Sequence, residues 1–122
     1  IGLIPDGGAH YFLEKRLGEL KAKQVIWEGK MMNAEEALRI GIIQEVSENL
    51  QETLEARISD WLKRPVQAMI KTKKILADSN RPQLLKILEL EKQGQLKMRR
   101  TFDHQEGIRA FIEKRPAKFI GK

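Results

Sequence analysis

Apolar residues recur at intervals of three and four along most of this chain, the spacing of helices that turn one face inward. Tyr11, Phe12 and Leu13 mark a first helix over residues 8–17, with Gly18 where a left-handed cap is expected. Leu20, Ala22, Val25 and Ile26 mark a second over 19–28, closed by Gly29. Asn33 with Glu36 three residues on forms a capping box for a third, whose apolar side is Ala34, Ala37, Leu38 and Ile40 before Gly41. Residues 42–46 are short and β-branched and form the best strand candidate. Ser47 reads as the cap of a helix over 48–63 carrying Leu50, Leu54, Ile58, Trp61 and Leu62. Arg64-Pro65 interrupts the pattern, and Val66, Met69, Ile70, Lys73 and Leu76 define another helix ending near residues 78–80.

Pro82 suits the first position of a long helix to about Arg100. Leu84, Leu85, Ile87, Leu88, Met98 and Phe102 fall on its expected buried side, and Gly94 would permit a close crossing. Asp103 reads as the cap of a last helix containing Ile108, Phe111 and Ile112, ended before Pro116 and followed by an irregular tail. The expectation is a mainly α unit over residues 1–122, with about seven helices and at most one or two short strands.

Hydrophobic residues make up 41 % of the 122 and charged residues 33 %, a balance suited to helices that need a second surface. The excess of 23 Lys and Arg over 17 Asp and Glu is dispersed along the chain, as on a solvated helical surface. Lys71, Lys73 and Lys74, or Lys97, Arg99 and Arg100, could meet phosphate, but no aromatic residue is interleaved with them. Nucleic acid is therefore not an expected partner. The absence of cysteine excludes disulfides and thiolate metal sites. His10 and His104 lie in different predicted helices without a ligand set around them, so no metal site is expected. No apolar run reaches the ~20 residues of a membrane span. No membrane association is expected, and a cytoplasmic location is.

The chemistry-bearing stretch is Ile1-Gly-Leu-Ile-Pro-Asp-Gly-Gly-Ala9. Pro5 holds the chain extended, and the paired glycines let backbone approach closely. Asp6 is then either the cap of the first helix, accepting its unpaired N–H groups, or a catalytic carboxylate. The residues alone favour the cap.

Together these pieces resemble the enoyl-CoA hydratase/isomerase (crotonase) family. Ile4-Pro-Asp-Gly-Gly8 is similar to a turn of that family. Gly18, Ala22 and Gly29, then Asn33-Ala-Glu-Glu-Ala37 and Gly41-Ile-Ile43, follow its order of glycine, helix, glycine, S/N-A-x-E-A and G-L-V. Asp103-His-Gln-Glu-Gly107, Ala110-Phe-Ile-Glu-Lys-Arg-Pro116 and Phe119-Ile-Gly121 resemble its closing signature. The branch typified by 1,2-epoxyphenylacetyl-CoA isomerases is especially similar. Its Pro-Asp-Ala-Gly-Gly differs from Pro5-Asp-Gly-Gly-Ala9 by a shifted glycine.

The resemblance implies the C-terminal helical segment of the crotonase (ClpP/crotonase-like) fold, a part that caps the active site and packs subunits into trimers or hexamers. It places the N-terminal ββα spiral, with its two oxyanion N–H donors, outside these residues. The chain alone is therefore expected to be inactive, because oxyanion donors lower a barrier by ~3–4 kcal/mol. Asp6 matches a catalytic Asp of isomerase members, moving a proton on a CoA thioester through an enolate. Phe111 and Lys114 match positions that contact the adenine and phosphate end of CoA. The acyl-CoA is substrate, and no cofactor is implied. The alternative is a helical oligomerisation or interaction module without catalysis.

Overall fold

The computed structural model describes residues 1–122 and contains six helices and no strand. They are α1 (Ala9–Leu17), α2 (Glu19–Glu28), α3 (Ala34–Ile40), α4 (Leu50–Leu62), α5 (Val66–Met98) and α6 (Phe102–Ile112). The chain divides into two units, one of Ile1–Phe12 with Gln83–Lys122, the other of Leu13–Pro82.

In the second unit the local signals act largely as expected. Gly29 and Gly41 close α2 and α3 in left-handed geometry, and the Asn33 side chain accepts the Glu36 N–H. Gly18 also has positive φ but is otherwise extended, and it starts α2. The strand expected over 42–46 is absent. The Ile42 N–H turns back to the Ala37 carbonyl at 2.9 Å and finishes α3, and an apolar run without a neighbouring strand gains nothing from extension. Asn49, not Ser47, caps α4, accepting the Glu52 N–H at 3.3 Å. Ser47 instead accepts the Asn49 N–H and pairs with Thr53 through their hydroxyls.

Six helices replace the expected seven because residues 66–98 form one helix of 33 residues with Pro82 inside it. Proline deletes one donor, the partner of the Asp78 carbonyl, but its φ is itself helical. Two residues earlier the Leu76 carbonyl accepts both Asn80 Nδ2 at 2.8 Å and Ser79 Oγ at 3.3 Å. The single missing bond does not stop a helix anchored on both sides.

In the first unit the extended residues 1–6 lie across α5 and α6. A Cβ on Gly107 would stand 2.7 Å from the backbone of Ile1, so only glycine lets that strand-like segment rest on α6. Gly94 serves the same end on α5, where the neighbour is the Ile4 side chain. The buried residues of this unit are few: Gly8, Tyr11, Glu91, His104, Glu106, Gly107 and Ala110. Leu85 and Phe102, expected inside, are about half exposed at 54 % and 47 %, and Leu88 is 37 % exposed. In the second unit the apolar stripe of α4, including Leu54, Ile58 and Trp61, is likewise open to solvent. Spacing identifies these faces, and the chain covers them only in part.

Candidate functional site

Pro5 and the glycines that follow turn residues 1–6 into α1. Gly7 and Gly8 have φ of 65° and 86°, a left-handed region costly for residues with a Cβ. A Cβ on Gly8 would also come within 2.9 Å of the Phe12 ring. The shifted glycine is thus accommodated, because both left-handed positions fall on glycine and Ala9 begins the helix.

The turn into α1 is capped by a side chain, though not by the Asp6 carboxylate. Glu91, buried in the middle of α5, accepts the Gly8 N–H at 2.7 Å on Oε2 and the His10 N–H at 3.1 Å on Oε1. The His10 ring donates to the same Oε1 from Nδ1 at 2.8 Å. Burial pushes the Glu91 carboxyl up, but the His10 ring and the two backbone N–H groups outweigh it and hold the group below its ordinary value. α1 has no acidic residue in its first turn, so Glu91 also supplies the negative charge that its N-terminus favours.

Relieved of capping, the Asp6 carboxylate is exposed on the rim of a cleft of about 420 Å³. Leu3, Leu88 and Leu96 provide apolar wall, and Glu91, Lys92, Gln95 and Arg99 provide polar groups. Gln95 Nε2 donates to Asp6 Oδ2 at 3.3 Å and to the Ile4 carbonyl at 2.7 Å, bridging the residues on either side of Pro5. Neither Glu91 nor Gln95 was among the residues singled out from the sequence. Their signal was register: both continue the inward row of Leu84 and Leu88 at helical spacing, where a polar residue needs a partner.

Phe111 and Lys114 lie at the other end of α6 and do not line this cleft. Phe111 is 77 % exposed. Lys114 occupies a left-handed position with φ 53°, the one non-glycine residue with positive φ. It follows the last turn of α6 in a Schellman arrangement, with the Arg115 N–H bonded to the Ala110 carbonyl and the Lys114 N–H to that of Phe111. Arg115 is committed to Glu106, which it meets through both terminal nitrogens at 2.6 and 3.0 Å, while Lys114 is exposed. The expected cap of α6 is corrected as well. Thr101 Oγ1 accepts the His104 N–H, and Asp103 instead accepts the Ile120 and Gly121 N–H groups of the tail, at 2.7 and 2.8 Å. His104 Nδ1 donates to the Ile1 carbonyl at 2.9 Å. No helix is long and apolar enough to cross a membrane.

An enoyl-CoA hydratase of Mycobacterium avium subsp. paratuberculosis superposes on these helices with a TM-score of 0.82 at 30 % identity, covering 98 % of this chain and 50 % of that one. The six helices are therefore the C-terminal helical segment of a crotonase fold. A family model described as enoyl-CoA hydratase/isomerase matches residues 1–122, and the chain belongs to that family. The Bacillus subtilis protein YhaR, named for the same family, is 49 % identical over 98 % of this chain and 47 % of its own length. The 1,2-epoxyphenylacetyl-CoA isomerase of Escherichia coli is 30 % identical over the whole chain and 47 % of its own length. The chain spans about half the length of the curated relatives it matches.

Proposed function

We propose that this chain contributes Asp6 as the acid–base group of an acyl-CoA enzyme. A polarised thioester carbonyl acidifies the neighbouring carbon, and Asp6 takes that proton and returns it at another carbon of the enolate. The observation that supports this reading is the division of labour at the turn: Glu91 does the capping, and Asp6 stands exposed at the cleft rim. Phe111 and Lys114 are assigned to the far end of CoA, the ring beside adenine and the ammonium near phosphate. An ammonium kept at a left-handed position where glycine is less strained is consistent with a binding role. No cofactor beyond the CoA thioester enters this reading. The proposal includes assembly as a trimer or hexamer and a cytoplasmic location.

In the full-length protein, Asp6→Asn is expected to lower turnover of crotonyl-CoA or trans-3-hexenoyl-CoA by at least ~100-fold, the lower end for loss of an acid–base group. Retained turnover with an intact fold would remove Asp6 from the chemistry. Lys114→Ala is expected to raise KM for the CoA ester with kcat unchanged. The 122-residue chain alone is expected to show no turnover at enzyme rates. A non-catalytic interaction module is the second reading, favoured by the open apolar faces of α4 and α5. A full-length protein that assembles but turns over neither ester would establish it.

A further inference from the structure

Gln95 stands on the same face of α5 as Glu91, one turn further along, and its amide reaches the one segment that carries the proposed acid–base group. Its Nε2 has two hydrogens, and the structure gives it two acceptors: the Ile4 carbonyl at 2.7 Å and Asp6 Oδ2 at 3.3 Å. The Ile4 carbonyl can only accept, so the amide orientation is set: the flipped amide would bring its oxygen against that carbonyl. Its Oε1 is buried with no hydrogen-bond partner, a cost tolerated so that both donors face residues 4–6.

We propose that Gln95 is the positioning residue of Asp6, holding Oδ2 and leaving Oδ1 as the oxygen that takes the proton. The proposal rests on the acid–base reading of Asp6. The Ile4 bond matters because it fixes the amide independently of Asp6. Pro5, between the two acceptors, removes the φ freedom through which Asp6 could otherwise drift. At the other end of the turn, Glu91 holds the Gly8 and His10 N–H groups. The segment carrying Asp6 is thus pinned to α5 before and after the carboxylate, and Gln95 alone among these contacts touches the carboxylate itself. Pre-orientation of a reacting group acts on the chemical step more than on substrate binding.

The test is made in the full-length protein with crotonyl-CoA and trans-3-hexenoyl-CoA. Gln95→Met keeps the length and helix preference of the side chain and removes both donors. Gln95→Glu keeps the shape and sets an acceptor against two acceptors. Each is expected to lower kcat about tenfold, the size of one hydrogen bond to a charged group, with KM within about twofold of wild type. Gln95→Lys, which restores a donor, is expected to recover part of the loss. In an Asp6→Asn background, Gln95→Met is expected to change the residual rate no further. Unchanged kcat in Gln95→Met and Gln95→Glu would overturn the proposal. So would a loss of the same size in the Asp6→Asn background, since Gln95 would then act without Asp6. Circular dichroism and melting of each variant separate loss of fold from loss of orientation, and Gln95→Glu decides the matter if Gln95→Met fails to fold. Retained turnover in Asp6→Asn itself would instead overturn the acid–base reading, and the positioning role with it.

Discussion

Glu91 ties the middle of α5 to the start of α1. It is 3 % exposed, and its carboxylate meets two helix-terminal N–H groups and the His10 ring. Truncation would leave two donors of the α1 turn without partners, each costing roughly 1–3 kcal/mol when buried. Glu91→Ala is therefore expected to destabilise by about 2–4 kcal/mol in urea unfolding. Glu91→Gln, which can still accept but loses the charge favoured at a helix N-terminus, should cost less, about 1–2 kcal/mol. If the two variants unfold alike, the charge and not the acceptor is what holds the turn. The sequence could show that residues 5–9 form a turn into a helix, and it placed Asp6 within it. The residues alone favour Asp6 as the cap because capping is ordinarily local, whereas the residue that caps here is 83 positions away from Gly8. The register of Gln95 marks it as inward, but its role depends on which segment α5 meets.

At the scale of elements, helix periodicity and glycine stops located α1, α2 and α3 closely, since those signals are local. The differences have more than one source: a neighbouring residue takes the cap at Asn49 and Thr101, and a proline is carried inside a longer helix. Pro82 looked like a start because proline favours first turns, and the continuous α5 was hidden by a rule with exceptions inside anchored helices. The tail after α6 looked irregular and is irregular, yet it is tied down at named points. Asp103 accepts two of its N–H groups, and Glu106 accepts the Lys118 N–H at 3.0 Å beside the paired Arg115 guanidinium. Arg115 and the Lys118 N–H hold the Glu106 carboxyl at about 2, well below the ordinary carboxylate range. The native state therefore binds fewer protons at this group than the unfolded chain does. Its contribution is complete above about pH 4.5 and is lost as pH falls toward about 2. Glu106→Gln is expected to flatten stability against pH over that interval and leave the slope near neutrality unchanged. An unaltered acid limb in a pH series of thermal melts would mean that the tail is held by its other contacts.

For the whole molecule the decisive quantity is surface. The chain exposes 10190 Å², whereas a folded monomer of its 14.1 kDa mass would expose roughly 6,700 Å² by the usual area–mass relation. Only Tyr11, Ala22 and Ala110 are buried apolar residues, while Trp27, Trp61, Leu62, Phe111 and Ile112 are each about half exposed or more. Burying a large apolar side chain contributes ~1.5–3 kcal/mol, so these open faces represent stabilisation that the chain does not obtain from itself. The amphipathic patterns of α4 and α5 follow from the same fact: they specify which face is to be covered and say nothing of what covers it. The isolated 122-residue chain is accordingly expected to bind the dye ANS strongly and to scatter light as an associated species, with association weakening on cooling as the hydrophobic drive falls. Full-length protein should bind the dye weakly at equal concentration. A chain that runs as a monomer and leaves the dye dark would show that these faces find partners within the 122 residues, and both the assembly reading and the interaction-module reading would lose their support.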